Sequence, residues 1–185
     1  MPPANTPLPV TAGPRWALAV MGVSGSGKST LAAALALHYG ALYLDADDYH
    51  DAAARAQMAS GVPLQDAQRV PWVARLAATL ATEAAAGRNT VLAFSGLRRE
   101  HRQRLRESGV PMRFVFLHAT PAVIAARLSA RAGHFMPARL LDSQFEALQP
   151  PTDEADVVAV DIDGTPEQVL ARAIAALEAK PLPMT

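Results

Sequence analysis

The chain has no cysteine, which excludes disulfides and thiolate-bound metal. Lysine is nearly missing as well. Of seventeen basic residues fifteen are arginine, leaving only Lys28 and Lys180. Seventeen acidic side chains cancel the basic ones, and aromatics make up 5% of the sequence. A chain with neither net field nor stacking surface is poorly suited to nucleic acid or an anionic membrane. No apolar run reaches the roughly 18 residues that span a bilayer. Residues 1–14 carry five prolines and lack the basic-then-apolar order of a signal peptide, so they read as a frayed tail. These absences point to a cytoplasmic protein whose anion-binding sites are built locally.

What is there suits one globular domain: 185 residues, 50% hydrophobic and 18% charged. The reading places the tail at 1–14, the domain at 15–180 and a short C-terminal tail at 181–185. Short apolar runs at 16–21, 41–44, 90–94, 113–118 and 156–162 read as strands. Between them, 28–39, 66–86, 98–107 and 120–130 read as helices, and Thr165 to Gln168 has capping-box spacing before a last one. Pro71 suggests a first turn or a break within 66–86. Strands alternating with helices predict an α/β fold, a parallel sheet covered on both faces.

The segment Gly22-Val23-Ser24-Gly25-Ser26-Gly27-Lys28-Ser29 matches G-x-x-x-x-G-K-[ST] between a predicted strand and a predicted helix. Glycines let successive amides turn inward at phosphate oxygens, and the helix adds its positive end. Lys28 would reach the β- and γ-phosphates, and Ser29, with Thr30 beside it, would meet magnesium. A chain that so rarely uses lysine keeps one where an ammonium is needed. The motif specifies a nucleoside triphosphate and Mg²⁺ but leaves the acceptor open.

Acceptor chemistry is expected at the C-terminal edge of the strands, where ligands sit in open α/β sheets. Asp45 and Asp47 close the second strand; Asp47 is read as the base and Asp45 as a ligand to magnesium-bound water. Asp48 reads as a helix cap. His50 could hydrogen-bond a hydroxyl, and Arg69 could pair a carboxylate in bidentate fashion. Ser95 and Gly96 would let an acceptor approach the backbone, with Arg98 and Arg99 supplying charge, one of them only to solvent. No acidic residue ends the third strand, so a Walker-B aspartate is missing there. Arg127 and Arg131, four apart, fall on one helix face and could meet the nucleotide from a lid at about 127–147.

Taken in order, these motifs resemble the bacterial-type gluconokinases, within the adenylate- and shikimate-kinase-like P-loop group. The resemblance covers about residues 16–175. It rests on the P-loop, Asp45-x-Asp47, His50, Met58-Ala59-Ser60-Gly61-x-Pro63-Leu64, Arg69-x-Pro71-Trp72, Ser95-x-Leu97-Arg98, Arg102, Arg106, Gly133-His134-Phe135-Met136 and Leu140-Leu141-x-Ser143-Gln144-Phe145. It implies ATP:D-gluconate 6-phosphotransfer, a five-stranded sheet in order 2-3-1-4-5, a helical lid and commonly a homodimer. It further implies nucleotide contacts for Arg127 and Arg131, and acceptor contacts for Asp47, His50, Arg69, Ser95, Arg98 and His134. The chain departs from the family at Ala46 (usually glycine), Asp51 (proline), Ala54 (asparagine) and Gln57 (lysine), all on the acceptor side. Alternatives are a kinase for another sugar acid, a shikimate-like kinase, or a nucleotide-binding module without phosphotransfer. The lone glycine of Ser95-Gly96-Leu97 fits poorly with the glycine run expected of a shikimate kinase.

Overall fold

The computed structural model describes residues 13–130 and 138–180. Five parallel strands form one sheet: β1 (Ala17–Met21), β2 (Leu42–Asp45), β3 (Thr90–Ala93), β4 (Met112–His118) and β5 (Val157–Asp161). Their order is β2-β3-β1-β4-β5, as the family resemblance implies. The central strands β1 and β3 are buried along their whole length and β4 nearly so, as expected where both faces are covered, whereas the edge strands β2 and β5 are partly exposed.

Alternation along β1 divides the core. Leu18 and Val20 face α1 (Lys28–Tyr39) and α7 (Pro166–Ala179), packing with Leu31, Leu35, Val169 and Ala173. Ala17, Ala19 and Met21 face the other way, toward Trp72, Leu76 and Leu80 of α3 (Asp66–Ala85) and Leu105 of α4 (Arg99–Arg106). The remaining helices are α2 (Ala52–Ala59), α5 (Pro121–Ala130) and α6 (Ala138–Ala147).

Element types match the expectations, with ends differing by one or two residues. Gly40 stops α1 in the left-handed region (φ 60°), its amide returning to the Ala36 and Leu37 carbonyls. Thr165 and Gln168 form the expected capping box. Three elements were not expected: a 3₁₀ turn over Ala46–Tyr49, α2, and α6 in a stretch whose pattern looks irregular. Asp48 is not the cap of that turn. Asp45 is, its carboxylate accepting the Asp47 amide. Pro71 neither opens nor breaks α3. Its missing donor strands only the carbonyl of Ala67, an exposed residue in the first turn where water can serve.

Register positions the site. Val20, Ala93 and Asp45 lie on one row across β1, β3 and β2. Three loops therefore leave the sheet at the same height: the glycine-rich loop from β1, the Asp45–His50 turn from β2 and the Ser95–Arg98 loop from β3. Gly22 donates its amide to the Ser95 carbonyl (3.1 Å), tying the first loop to the third.

Candidate active site

The loop between β1 and α1 has no slack. At Gly22 (φ 151°) a Cβ would come 2.7 Å from the Leu117 carbonyl oxygen and 2.9 Å from Ser26 Oγ. At Gly27 (φ 91°), which caps α1, no atom lies within 4 Å of a built Cβ. The backbone there is left-handed and its inner side open, as an anion cradle requires. Ser26 lies at the bottom, 2% exposed, its hydroxyl buried without a hydrogen-bond partner among the described residues. A buried orphan hydroxyl in a ring of amides suits a phosphate oxygen. Lys28 Nζ donates to the Val23 carbonyl (3.0 Å), which folds the ammonium across the loop. A cavity of about 430 Å³ opens beside Gly25, Gly27 and Thr30, between α1, Arg127 and the start of α7. It is large enough for a nucleoside. A roomier hollow of about 560 Å³ between β4, β5 and residues 151–155 touches none of the three loops.

Ser29 and Asp45 meet across the mouth of the cradle, Oγ donating to Oδ2 at 3.1 Å. Tyr43 OH donates to the same carboxylate oxygen at 2.9 Å, and the Asp47 amide donates to the other at 3.1 Å. A hydroxyl and a carboxylate so placed fit a magnesium ion that keeps most of its water. The carboxylate beside the cradle thus comes from the end of β2, and no acid ends β3.

Asp47 projects into the cleft, its side chain 87% exposed. The protein mass around the cleft and then Asp45 push its pKa above the usual carboxylate value, while His50 and Lys28 pull it down. Water in the open cleft screens these effects, so the direction is upward and the size modest. His50 is 6% exposed and stacks on Trp72 with ring centroids 4.3 Å apart. Burial holds it below its ordinary pKa, against the pull of Asp47 at 3.9 Å. It is therefore neutral near pH 7 and able to donate or accept. Trp72 is itself fixed by its Nε1–H bond to the Ala46 carbonyl (2.7 Å).

Arg69 is half-buried beside Asp66 and Arg98, and burial lowers its pKa. Arg98 forms an ion pair with Asp66 (Nε to Oδ1, 3.0 Å). Arg99 is the solvent-facing member of the arginine pair, bonded to Asp153 at 2.9 Å. Ser95 lies at the base of the same loop. Arg127 borders the nucleoside-sized cavity and donates to the carbonyls of Ile162 and Gly164. Arg131 and His134 lie outside the described residues.

Several contributors have a structural role that the sequence does not reveal, even where, as with Gln144, Arg102 and Arg106, the resemblance singles them out. Gln144 of α6 accepts the Ser24 amide at 2.6 Å across 120 residues. The Gln149 amide donates to the Leu97 carbonyl, and its side chain accepts the Arg99 amide, closing the third loop. Arg102, only 1% exposed, donates to the Gly96, Leu97 and Gln149 carbonyls and to Glu154. Arg106 adds bonds to Glu154 and Asp156. Arg102 and Arg106 are thus framework to the third loop rather than ligand groups.

A family model described as AAA domain matches residues 18–151. The chain is 40% identical to a gluconokinase of Gluconobacter oxydans over 163 residues, covering 88% of this chain and 92% of that protein. It is 40% identical to the thermoresistant gluconokinase of Escherichia coli over 156 residues, 84% and 89% of the two chains. The crystal structure of a gluconokinase from Sinorhizobium meliloti superposes with a TM-score of 0.82 at 38% identity, over 90% of this chain and 94% of that one. The chain belongs to the gluconokinase family. Three of its four departures from the gluconokinase pattern fit their local structure, and nothing in the structure explains Ala54. Ala46 needs no glycine, because no described residue other than glycine has positive φ. Asp51 caps α2, accepting the Ala54 amide at 2.7 Å. Gln57 bonds the Pro63 carbonyl and Gln68, closing the turn between α2 and α3.

Proposed function

We propose that this protein moves the γ-phosphoryl group of ATP onto the 6-hydroxyl of D-gluconate, releasing ADP and 6-phospho-D-gluconate. The observation that carries this reading is the meeting of Ser29 and Asp45 beside Asp47, with Lys28 one residue from Ser29. ATP takes the cradle of Gly22, Ser24, Gly25, Ser26, Gly27, Lys28, Ser29 and Thr30, and its base takes the cavity beside Arg127. Ser29 and, through water, Asp45 would hold magnesium, which would supply charge neutralisation at the phosphates.

On the acceptor side Arg69 and Arg98 hold the carboxylate of gluconate, with His50, Ser95 and His134 along the polyol. Asp47 accepts the proton of the attacking hydroxyl as the new O–P bond forms and the bond to the β-phosphate oxygen breaks. Its upward-shifted pKa makes it a better base than an ordinary surface carboxylate. Residues 127–147 are read as a lid over the nucleotide, with Arg127 beside the nucleoside cavity and Arg131 assigned to the phosphates from the sequence alone. Lys28 and the amides supply the positioning and charge on which such transfer depends.

Because the reaction consumes ATP, the cytoplasm is the setting; among the described residues no helix is long and apolar enough to cross a membrane. A homodimer completes the proposal, and light scattering tests it. The decisive assay is ADP release with gluconate, other sugar acids and shikimate in parallel. Turnover highest with gluconate supports the proposal. ATP binding without ADP release on any acceptor overturns it in favour of a module that only binds nucleotide.

A further inference from the structure

The mouth of the third loop holds a carboxylate with an imperfect partner and, among the described residues, a donor with none. Asp66, the first residue of α3, is paired by Arg98 at 3.0 Å, yet Arg98 Nε makes no hydrogen bond within the described residues. The contact is therefore Coulombic and badly aimed. Both side chains remain in touch with solvent, Arg98 34% and Asp66 45% exposed. His101, in the first turn of α4, is 2% exposed, and its Nε2 is buried without a hydrogen-bond partner among the described residues. The nearest carboxylate oxygen reported for it, on Glu100, is 3.7 Å away, too far for a hydrogen bond. A ring nitrogen of His101 and carboxylate oxygens of Asp66 and Glu100 all lie within 4.8 Å of one another. The same spacing suits a cation, but Arg69 and Arg98 face the group, and their charge opposes a further positive one.

We propose that His101 is a positioning residue for the acceptor acid: when Arg98 turns to the substrate carboxylate, the His101 Nε2–H takes over Asp66. This rests on the gluconokinase reading and adds to it a way of freeing an arginine. An anionic acceptor needs a guanidinium, and Arg98 is committed to Asp66 until something replaces it. Asp66 is half-exposed, so water meets part of the loss when Arg98 leaves, and a protein donor at hand lowers the remainder. A buried imidazole with a ring nitrogen within 4.8 Å of the Asp66 carboxylate is such a donor. In the neutral tautomer protonated at Nε2 it donates without gaining or losing a proton. Burial first, with Arg69 and Arg98 behind it, keeps His101 neutral against the pull of Glu100 and Asp66.

Steady-state kinetics of the full chain test the exchange, varying gluconate and ATP separately. His101→Phe is expected to raise the gluconate KM about tenfold, the equivalent of one hydrogen bond, with kcat and the ATP KM within threefold of the parent. His101→Gln, which restores a donor, is expected to recover most of the loss. In an Asp66→Asn background, where Arg98 has no charge to leave, His101→Phe should add less than twofold. In the parent protein, gluconate should shift the nitrogen resonance of His101 Nε2, a readout that needs no variant to fold. An unchanged gluconate KM in His101→Phe, the same tenfold loss in Asp66→Asn, or a His101 resonance that ignores gluconate each overturns the exchange. A parent that releases no ADP with gluconate instead overturns the functional proposal beneath it.

Discussion

The hydroxyl of Ser29 donates to the carboxylate of Asp45 at 3.1 Å, joining the first turn of α1 to the last residue of β2. Tyr43 holds the same oxygen from behind. Asp45→Asn keeps the shape but removes the charge that would orient metal-bound water. Its expected effect is an increase of about 10- to 100-fold in the Mg²⁺ concentration for half-maximal rate. Tyr43→Phe should shift the same midpoint in the same direction by only about fivefold, the weight of one hydrogen bond. A magnesium titration at saturating ATP measures both.

Lys28 lies across the cradle and is one of two lysines in the chain. Lys28→Ala should lower kcat by about 10²-fold or more, by comparison with other deletions of a charge-stabilising donor. Turnover within tenfold of the parent would remove Lys28 from the transition state.

Arg102 and Glu154 form a buried ion pair, their side chains 1% and 4% exposed. Removing one partner strands the other charge, so Arg102→Ala should cost about 3–5 kcal/mol in urea unfolding. Arg102→Lys should rescue little, since one ammonium cannot replace a planar fork that serves three carbonyls and a carboxylate.

Acid should destabilise the fold through its two buried histidines. Burial lowers the pKa of His50 and His101 below the unfolded value of 6.5. As pH falls below that value the unfolded chain takes up protons that the native state refuses, and stability is lost until the folded pKa values are passed. Urea midpoints should therefore drop between pH 7.5 and 5.5, and less steeply in a His50→Gln, His101→Gln double variant.

Asp47 works in the opposite sense. Its raised pKa means that its carboxylate loses the proton later than a free one, so the acid limb of kcat/KM should lie above 3.8. Asp47→Asn should remove that limb together with most of the activity. A pH–rate profile of both proteins decides the matter.

The nucleotide half of the site was legible because its chemistry is local. Eight consecutive residues, a strand before and a helix after, suffice to place a phosphate cradle, and β1 and α1 stand where the apolar pattern puts them. The acceptor half, and the supports of both halves, depend on residues far apart in the chain. Gln144 reaches Ser24 of the cradle, and Arg102 reaches Glu154 under the third loop, only after the sheet has brought them together. The resemblance picks out Gln144 and Arg102, but nothing in the sequence says what either one holds. Asp45 and Asp48 show the limit in miniature: both read as acids near a turn, and only the backbone of Ala46–Tyr49 decides which one caps it. His101 gives no sign either, since a histidine on a basic helix reads as solvated until its burial is seen.

The arrangement around Arg102 ties gluconate affinity to thermal endurance. One guanidinium props the third loop and pins residues 149–154 beneath it, whereas the phosphate cradle hangs from the centre of the sheet. On warming, the prop should slacken before the sheet does, and the protein should forget its sugar acid while still gripping its nucleotide.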